Sequence, residues 1–190
     1  MFLEPHFKRS GWIEVICGSM FSGKTEELLR RLRRARIANQ EVVIFKPALD
    51  DRYATDRVVS HDANSLKALP VKDAAELASL AGNYDVIGVD EAQFFGEDLV
   101  GVLQDLALKG RRVIVAGLDM DFRGKPFGPV PDLLAVAEYI TKLHAICQQC
   151  GNLATHSFRL SANEETVELG AKEAYEARCR TCYHLGDALK

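Results

Sequence analysis

Apolar residues in this chain gather in short, nearly unbroken runs: Trp12-Ile13-Glu14-Val15-Ile16-Cys17, Val42-Val43-Ile44-Phe45, Val86-Ile87-Gly88-Val89 and Arg112-Val113-Ile114-Val115-Ala116-Gly117. Tyr139-Ile140-Thr141-Lys142-Leu143 is a further candidate of the same kind. Runs this short, without strict alternation, suit strands buried on both faces of a parallel sheet. The stretches between them, 24–39, 73–81 and 97–109, read as helices; Leu28, Leu29, Leu32 and Ala35 show the spacing best. The resulting βαβα order predicts an α/β fold with a mainly parallel sheet and right-handed crossovers.

Two stretches break the alternation. Residues 47–64 are polar and rich in Asp and Arg, which predicts a long, mobile excursion outside the core. After His144 the chain carries paired cysteines and no long helix, which sets a domain boundary near Leu143: 1–143 as the main α/β domain and 144–190 as a small appendage. A length of 190 residues suits one main core plus such an appendage. The net charge of −3 gives no global pull toward nucleic acid or an anionic membrane. The Met1–His6 start has no leader-like pattern and no run reaches membrane-spanning length, so the expectation is a cytoplasmic protein without a membrane or nucleic-acid partner. Arg30, Arg31, Arg33, Arg34 and Arg36 crowd one predicted helix, but with Glu26, Glu27 and Glu41 nearby they read as a solvated or subunit-contact face.

Gly18-Ser19-Met20-Phe21-Ser22-Gly23-Lys24-Thr25 joins the first strand to the first helix. This is the context a phosphate-binding loop requires. Its glycines let backbone N–H groups curl around phosphate oxygens, and the helix N-terminus adds positive potential. Lys24 reaches the outer phosphates and the Thr25 hydroxyl suits Mg²⁺. Asp90, 66 residues after Lys24, ends a strand run, where it can hold Mg²⁺ beside Thr25. Glu91 points elsewhere and is the candidate base for an alcohol acceptor; orienting water for ATP hydrolysis is the competing role. Gln93 is a candidate hydrogen-bond partner for a nucleotide base or a phosphate.

Cys147-Gln148-Gln149-Cys150 and Cys179-Arg180-Thr181-Cys182 enclose 28 residues, a spacing compatible with one tetrahedral Cys₄ zinc site. Four thiolates leave no open coordination position, so such a metal is structural. Cys17 ends a buried strand and reads as a small core residue. In the run from Gly117 to Gly128, Phe122 and Phe127 either sandwich a planar base or pack the loop.

Thr141-Lys142-Leu143-His144 lacks the aspartate of a guanine reader, which argues against a GTPase. A non-enzymatic zinc module leaves the phosphate loop and Glu91 idle. The remaining alternative to a small-molecule kinase is a nucleic-acid-stimulated ATPase with a zinc ribbon.

The phosphate loop with Met20-Phe21-Ser22 inside it, Asp90-Glu91-Ala92-Gln93-Phe94, the Gly117–Phe127 run and the paired cysteines together resemble the type II thymidine kinase family, shared by bacteria and the vertebrate cytosol, over nearly the whole chain. The resemblance implies a P-loop mononucleotide-binding fold with a small C-terminal zinc-binding lasso domain. It also implies ATP- and Mg²⁺-dependent phosphorylation of the thymidine 5′-hydroxyl in nucleoside salvage, with deoxyuridine as a further acceptor. A homotetramer and feedback inhibition by thymidine triphosphate belong to the same implication. Carried over by residue, Glu91 is the proton acceptor and Phe122 stacks on thymine, with Met20, Leu118 and Phe127 lining the pocket. Thr166-Val167-Glu168-Leu169-Gly170 matches the lasso, Tyr175 precedes Cys179 as in the family, and Ser157 stands where relatives have Thr. Arg52 matches a segment near the phosphates.

Overall fold

A computed structural model describes residues 11–48, 66, 68–160 and 174–187. β1 (Trp12–Cys17), α1 (Lys24–Ile37), β2 (Val42–Pro47), β3 (Ala68–Val71), α2 (Ala74–Leu80), β4 (Val86–Val89), α3 (Asp98–Leu108), β5 (Arg112–Gly117), α4 (Val130–Val136) and β6 (Tyr139–Lys142) follow in chain order. The six strands form one sheet in the order β3-β2-β4-β5-β1-β6, with every pair parallel. The expected α/β class is thus the observed one. Residues 49–65, most of the predicted excursion, lie outside the described residues.

Helices cover both faces, so each strand must be apolar on both sides. On one face Leu28, Leu29, Leu32 and Ala35 of α1 pack on Ile16, Ile44, Val86, Ile114 and Ala116. On the other, Leu77 of α2, Leu99, Leu103 and Leu106 of α3 and Leu133 of α4 meet Ile13, Val15, Val43, Phe45, Ile87, Val89, Val113 and Val115. Cys17 belongs to this second cluster, a core residue as its strand position implied. The arginine-rich helix is not solvated throughout: Arg31 donates to Glu14 at 2.8 Å, Glu27 at 2.8 Å and Thr141 at 2.9 Å. Glu14 also accepts from Arg112 at 2.7 Å, so a buried carboxylate inside a strand is paired twice.

After β6 come two small antiparallel pairs, β7 (Ala145–Ile146) with β8 (Leu153–Ala154), and β9 (His156–Arg159) with β10 (Tyr175–Arg178). A short helix, α5 (Arg180–Asp187), follows. This part rests on the phosphate loop: Ser19 Oγ donates to the Ala154 carbonyl at 3.5 Å, and the Met20 N–H donates to Ser157 Oγ at 3.0 Å. No helix among the described residues is long and apolar enough to cross a membrane.

Candidate active site

The loop from Gly18 to Thr25 leaves the carboxyl end of β1 and enters α1. Gly18 is required by space as well as by conformation: at φ 139°, a Cβ there meets the Leu143 carbonyl oxygen at 2.2 Å. Gly23 caps α1 in the left-handed region, and Phe21 shares that region at φ 64°. Lys24 Nζ and Ser22 Oγ both donate to the Ser19 carbonyl at 2.8 Å, folding the loop onto itself. Burial lowers the Lys24 pKa, while the nearby charges of Glu91, Asp90 and Asp119 act to raise it.

β4 lies two strands from β1 in the sheet and delivers Asp90 beside Thr25, whose hydroxyl donates to the carboxylate at 3.1 and 3.3 Å. Burial, followed by the neighbouring Glu91 charge, pushes the Asp90 carboxyl up to about 6. The carboxylate oxygens of Asp90 and the hydroxyl of Thr25 are oxygen donors of the kind Mg²⁺ takes, and a bound cation would favour the charged form of Asp90. Thr25 and Asp90 are therefore the residues that can hold the cation.

Glu91 turns into the left-handed region at φ 53° and ψ 41° before a short turn, Ala92–Phe94, and its side chain is exposed. Non-glycine residues bear a cost in this region, and such strain clusters at functional positions. Gln93 Nε2 donates to Glu91 Oε2 at 2.5 Å, and Gln93 Oε1 accepts from the Leu118 N–H at 2.9 Å. At 3% exposure, Gln93 has both ends of its amide engaged, one with the Glu91 carboxylate and the other with the backbone of the next loop.

That loop, 117–128, is a tight hairpin: Met120 and Pro126 pair, and Asp121 Oδ1 accepts from the N–H groups of Arg123 and Lys125 at 2.9 Å. Gly128 closes it at φ 51°, where a Cβ meets the Gln93 carbonyl oxygen at 2.3 Å. Asp119 is buried and pairs with Lys142 at 2.5 Å, while its Oδ1 has no hydrogen-bond partner among the described residues. The two phenylalanines occupy different surroundings. Phe127 packs edge-on against Phe94 at 5.6 Å, and Phe122 lies under the Arg159 guanidinium, 3.6 Å from its ring centroid. Leu118, at the start of the loop, donates its backbone N–H to Gln93. Met20 and Ser157 meet through their hydrogen bond, and Tyr175 is buried, its hydroxyl accepting from Arg159. Arg159, Tyr183 and Asp119 went unread in the sequence; an isolated polar residue in a short strand, helix or loop carries no periodic signal. Arg52 and the stretch Thr166, Val167, Glu168, Leu169 and Gly170 lie outside the described residues.

The four cysteines converge. Their sulfurs all lie within 4.8 Å of one another, and Cys150 and Cys179 stand 3.6 Å apart. Tetrahedral Zn–S bonds of about 2.3 Å place sulfurs about 3.8 Å apart, so the cluster fits zinc. Asn152 Nδ2 and the Cys182 N–H donate to Cys150 and Cys179, stabilising thiolates. Hydrogen bonds to Cys150 and Cys179 push the Cys182 thiol up to about 12. Four sulfurs this close cannot all ionise unaided, and a divalent cation removes that penalty.

A family model described as "Thymidine kinase" matches residues 11–183. A protein named thymidine kinase from Rhodothermus sp. strain ITI 518 is 60% identical over 96% of this chain and 88% of its own length. Proteins of the same name from Porphyromonas gingivalis and Bacteroides thetaiotaomicron are 58% and 53% identical, covering 92% and 96% of this chain and 86% and 94% of their own lengths. Among solved structures, the flagellar accessory protein FlaH from Methanocaldococcus jannaschii superimposes with a TM-score of 0.54 at 13% identity, covering 89% of this chain and 90% of that one. At that identity the likeness concerns the fold alone.

Proposed function

Because this chain belongs to the thymidine kinase family, we propose that it transfers the γ-phosphoryl of ATP to the 5′-hydroxyl of thymidine. The observation that carries the reading is Glu91. A single carboxylate, held by a buried glutamine, stands at the strand end next to Asp90 and Thr25, and that glutamine also anchors the aromatic loop.

Mg²⁺ bound with ATP would neutralise phosphate charge, and Thr25 and Asp90 would hold it. Backbone N–H groups of Gly18 through Thr25 cradle the phosphates, and Lys24 exchanges the Ser19 carbonyl for phosphate oxygen. Glu91 takes the proton of the 5′-hydroxyl as the new P–O bond forms, while Gln93 keeps its carboxylate in place. Phe122 supplies the stacking face for the pyrimidine, and Met20, Leu118, Phe127 and Ser157 line the remainder. Residues 144–190 act as a zinc-binding and lasso domain, with Thr166–Gly170 and Tyr175 toward the nucleoside and Arg52 toward the phosphates. The reading extends to salvage in the cytoplasm, to deoxyuridine as a second acceptor, to a homotetramer, and to inhibition by thymidine triphosphate.

The test is a panel of nucleosides assayed with γ-labelled ATP. Label appearing on thymidine, and on deoxyuridine more weakly, supports the proposal. ATP turnover that depends on added DNA and ignores nucleosides would overturn it in favour of a nucleic-acid-stimulated ATPase.

A further inference from the structure

Phe122 is held twice, both times by the cysteine-bearing part of the chain. Tyr183, the residue after Cys182, donates its hydroxyl to the Phe122 carbonyl at 2.8 Å. Arg159, at the end of β9, lays its guanidinium over the Phe122 ring at 3.6 Å from the centroid and 5.2 Å from that of Tyr175. Its Nε also donates to the Tyr175 hydroxyl at 3.1 Å. Arg159 is 1% exposed and among the largest fully buried side chains of the molecule. The exposed Arg123 lies 4.9 Å from the same ring centroid.

A buried planar cation pressed against one face of a half-exposed ring fixes the ring's plane and leaves the opposite face as the one a flat ligand can use. We propose that Arg159 is the positioning residue for nucleoside recognition: it backs the Phe122 ring, so that the pyrimidine stacks on a surface set before it binds. The inference rests on the thymidine reading above and adds a residue to it. The contacts described for Arg159 go to Phe122 and Tyr175, so its effect is expected on acceptor binding and not on donor binding. Lysine retains the charge but not the stacked plane, and is therefore an incomplete substitute.

The experiment measures kcat and both KM values for the zinc-loaded wild type and for R159M, R159K, F122L and the combinations of each Arg159 variant with F122L. The expected result is a rise of about tenfold in the thymidine KM of R159M, a smaller rise in R159K, and an ATP KM and zinc content within twofold of wild type. With F122L present, neither Arg159 substitution raises the thymidine KM further, because the ring it backs is gone. If R159M does not fold, the R159K cycle decides alone. A thymidine KM unmoved by the Arg159 changes, a parallel rise in the ATP KM, or additive effects with F122L overturns the proposal. A wild type that fails to phosphorylate thymidine overturns instead the functional reading beneath it.

Discussion

Asp90→Asn separates what the site requires from what the fold prefers. Burial, with Glu91 adding to it, moves the Asp90 carboxyl from its ordinary value of 3.8 to about 6. At about 1.4 kcal/mol per pKa unit the gap amounts to about 3 kcal/mol, and residual solvent at this half-buried position brings the expectation to about 1–3 kcal/mol. The unfolded chain ionises near 3.8 and the folded chain near 6, so between those values the folded state holds the extra proton. Ionisation therefore favours the unfolded chain as pH rises; the penalty is complete above about pH 6 and gone below about pH 4. The asparagine substitution removes the charge and keeps an oxygen for the Glu91 N–H and the Thr25 hydroxyl. Free of nucleotide and Mg²⁺ but zinc-replete, Asp90→Asn should melt about 3–10 °C above wild type at about pH 7.5. The two curves should converge by about pH 4, while turnover falls about a hundredfold or more. A melting point equal to or below wild type above the folded-state titration, or a gap indifferent to pH, refutes the reasoning.

Three further outcomes can be measured directly. Glu91→Gln should lower thymidine phosphorylation by about 10²–10⁴ while leaving nucleotide affinity within a few-fold, read by steady-state kinetics beside ATP-analogue titration. Stripping zinc with a chelator should raise the thymidine KM well before it weakens ATP binding, because Tyr183 and Arg159 reach Phe122 from the cysteine-bearing segment; simultaneous loss of both affinities argues against this order. Gly18→Ala sets a methyl 2.2 Å from the Leu143 carbonyl at a positive φ and should cost about 2 kcal/mol or more, read as a lowered denaturation midpoint together with weaker ATP binding.

The sheet was legible because β1, β2, β4 and β5 are flanked by helices on both faces and so must be apolar throughout. β3 was missed because it is a four-residue edge strand containing Pro70, a residue that argues against an interior strand and is tolerated where a ladder partner is lacking. α4 was hidden for a related reason: its seven residues open with Val130-Pro131 directly after Pro129, a composition that reads as loop. The phosphate loop, Asp90 and the cysteine pairs carry their chemistry in spacing, which sequence preserves. The role of Gln93 depends on which way a buried amide faces, and Arg31 turned inward because Glu14, seventeen positions away in the chain, needed a second cation. Neither fact exists before the chain is folded.

The left-handed backbone at Glu91 has a consequence for anyone evolving this enzyme in the laboratory. Glycine there relaxes the main chain by about 1 kcal/mol, and asparagine at the preceding position removes a buried charge. A library sorted only for endurance to heat will therefore enrich both changes and hand back a tougher protein lacking the two carboxylates proposed as base and cation holder. Sorting must alternate with a demand for turnover, since the two adjacent positions reward opposite choices.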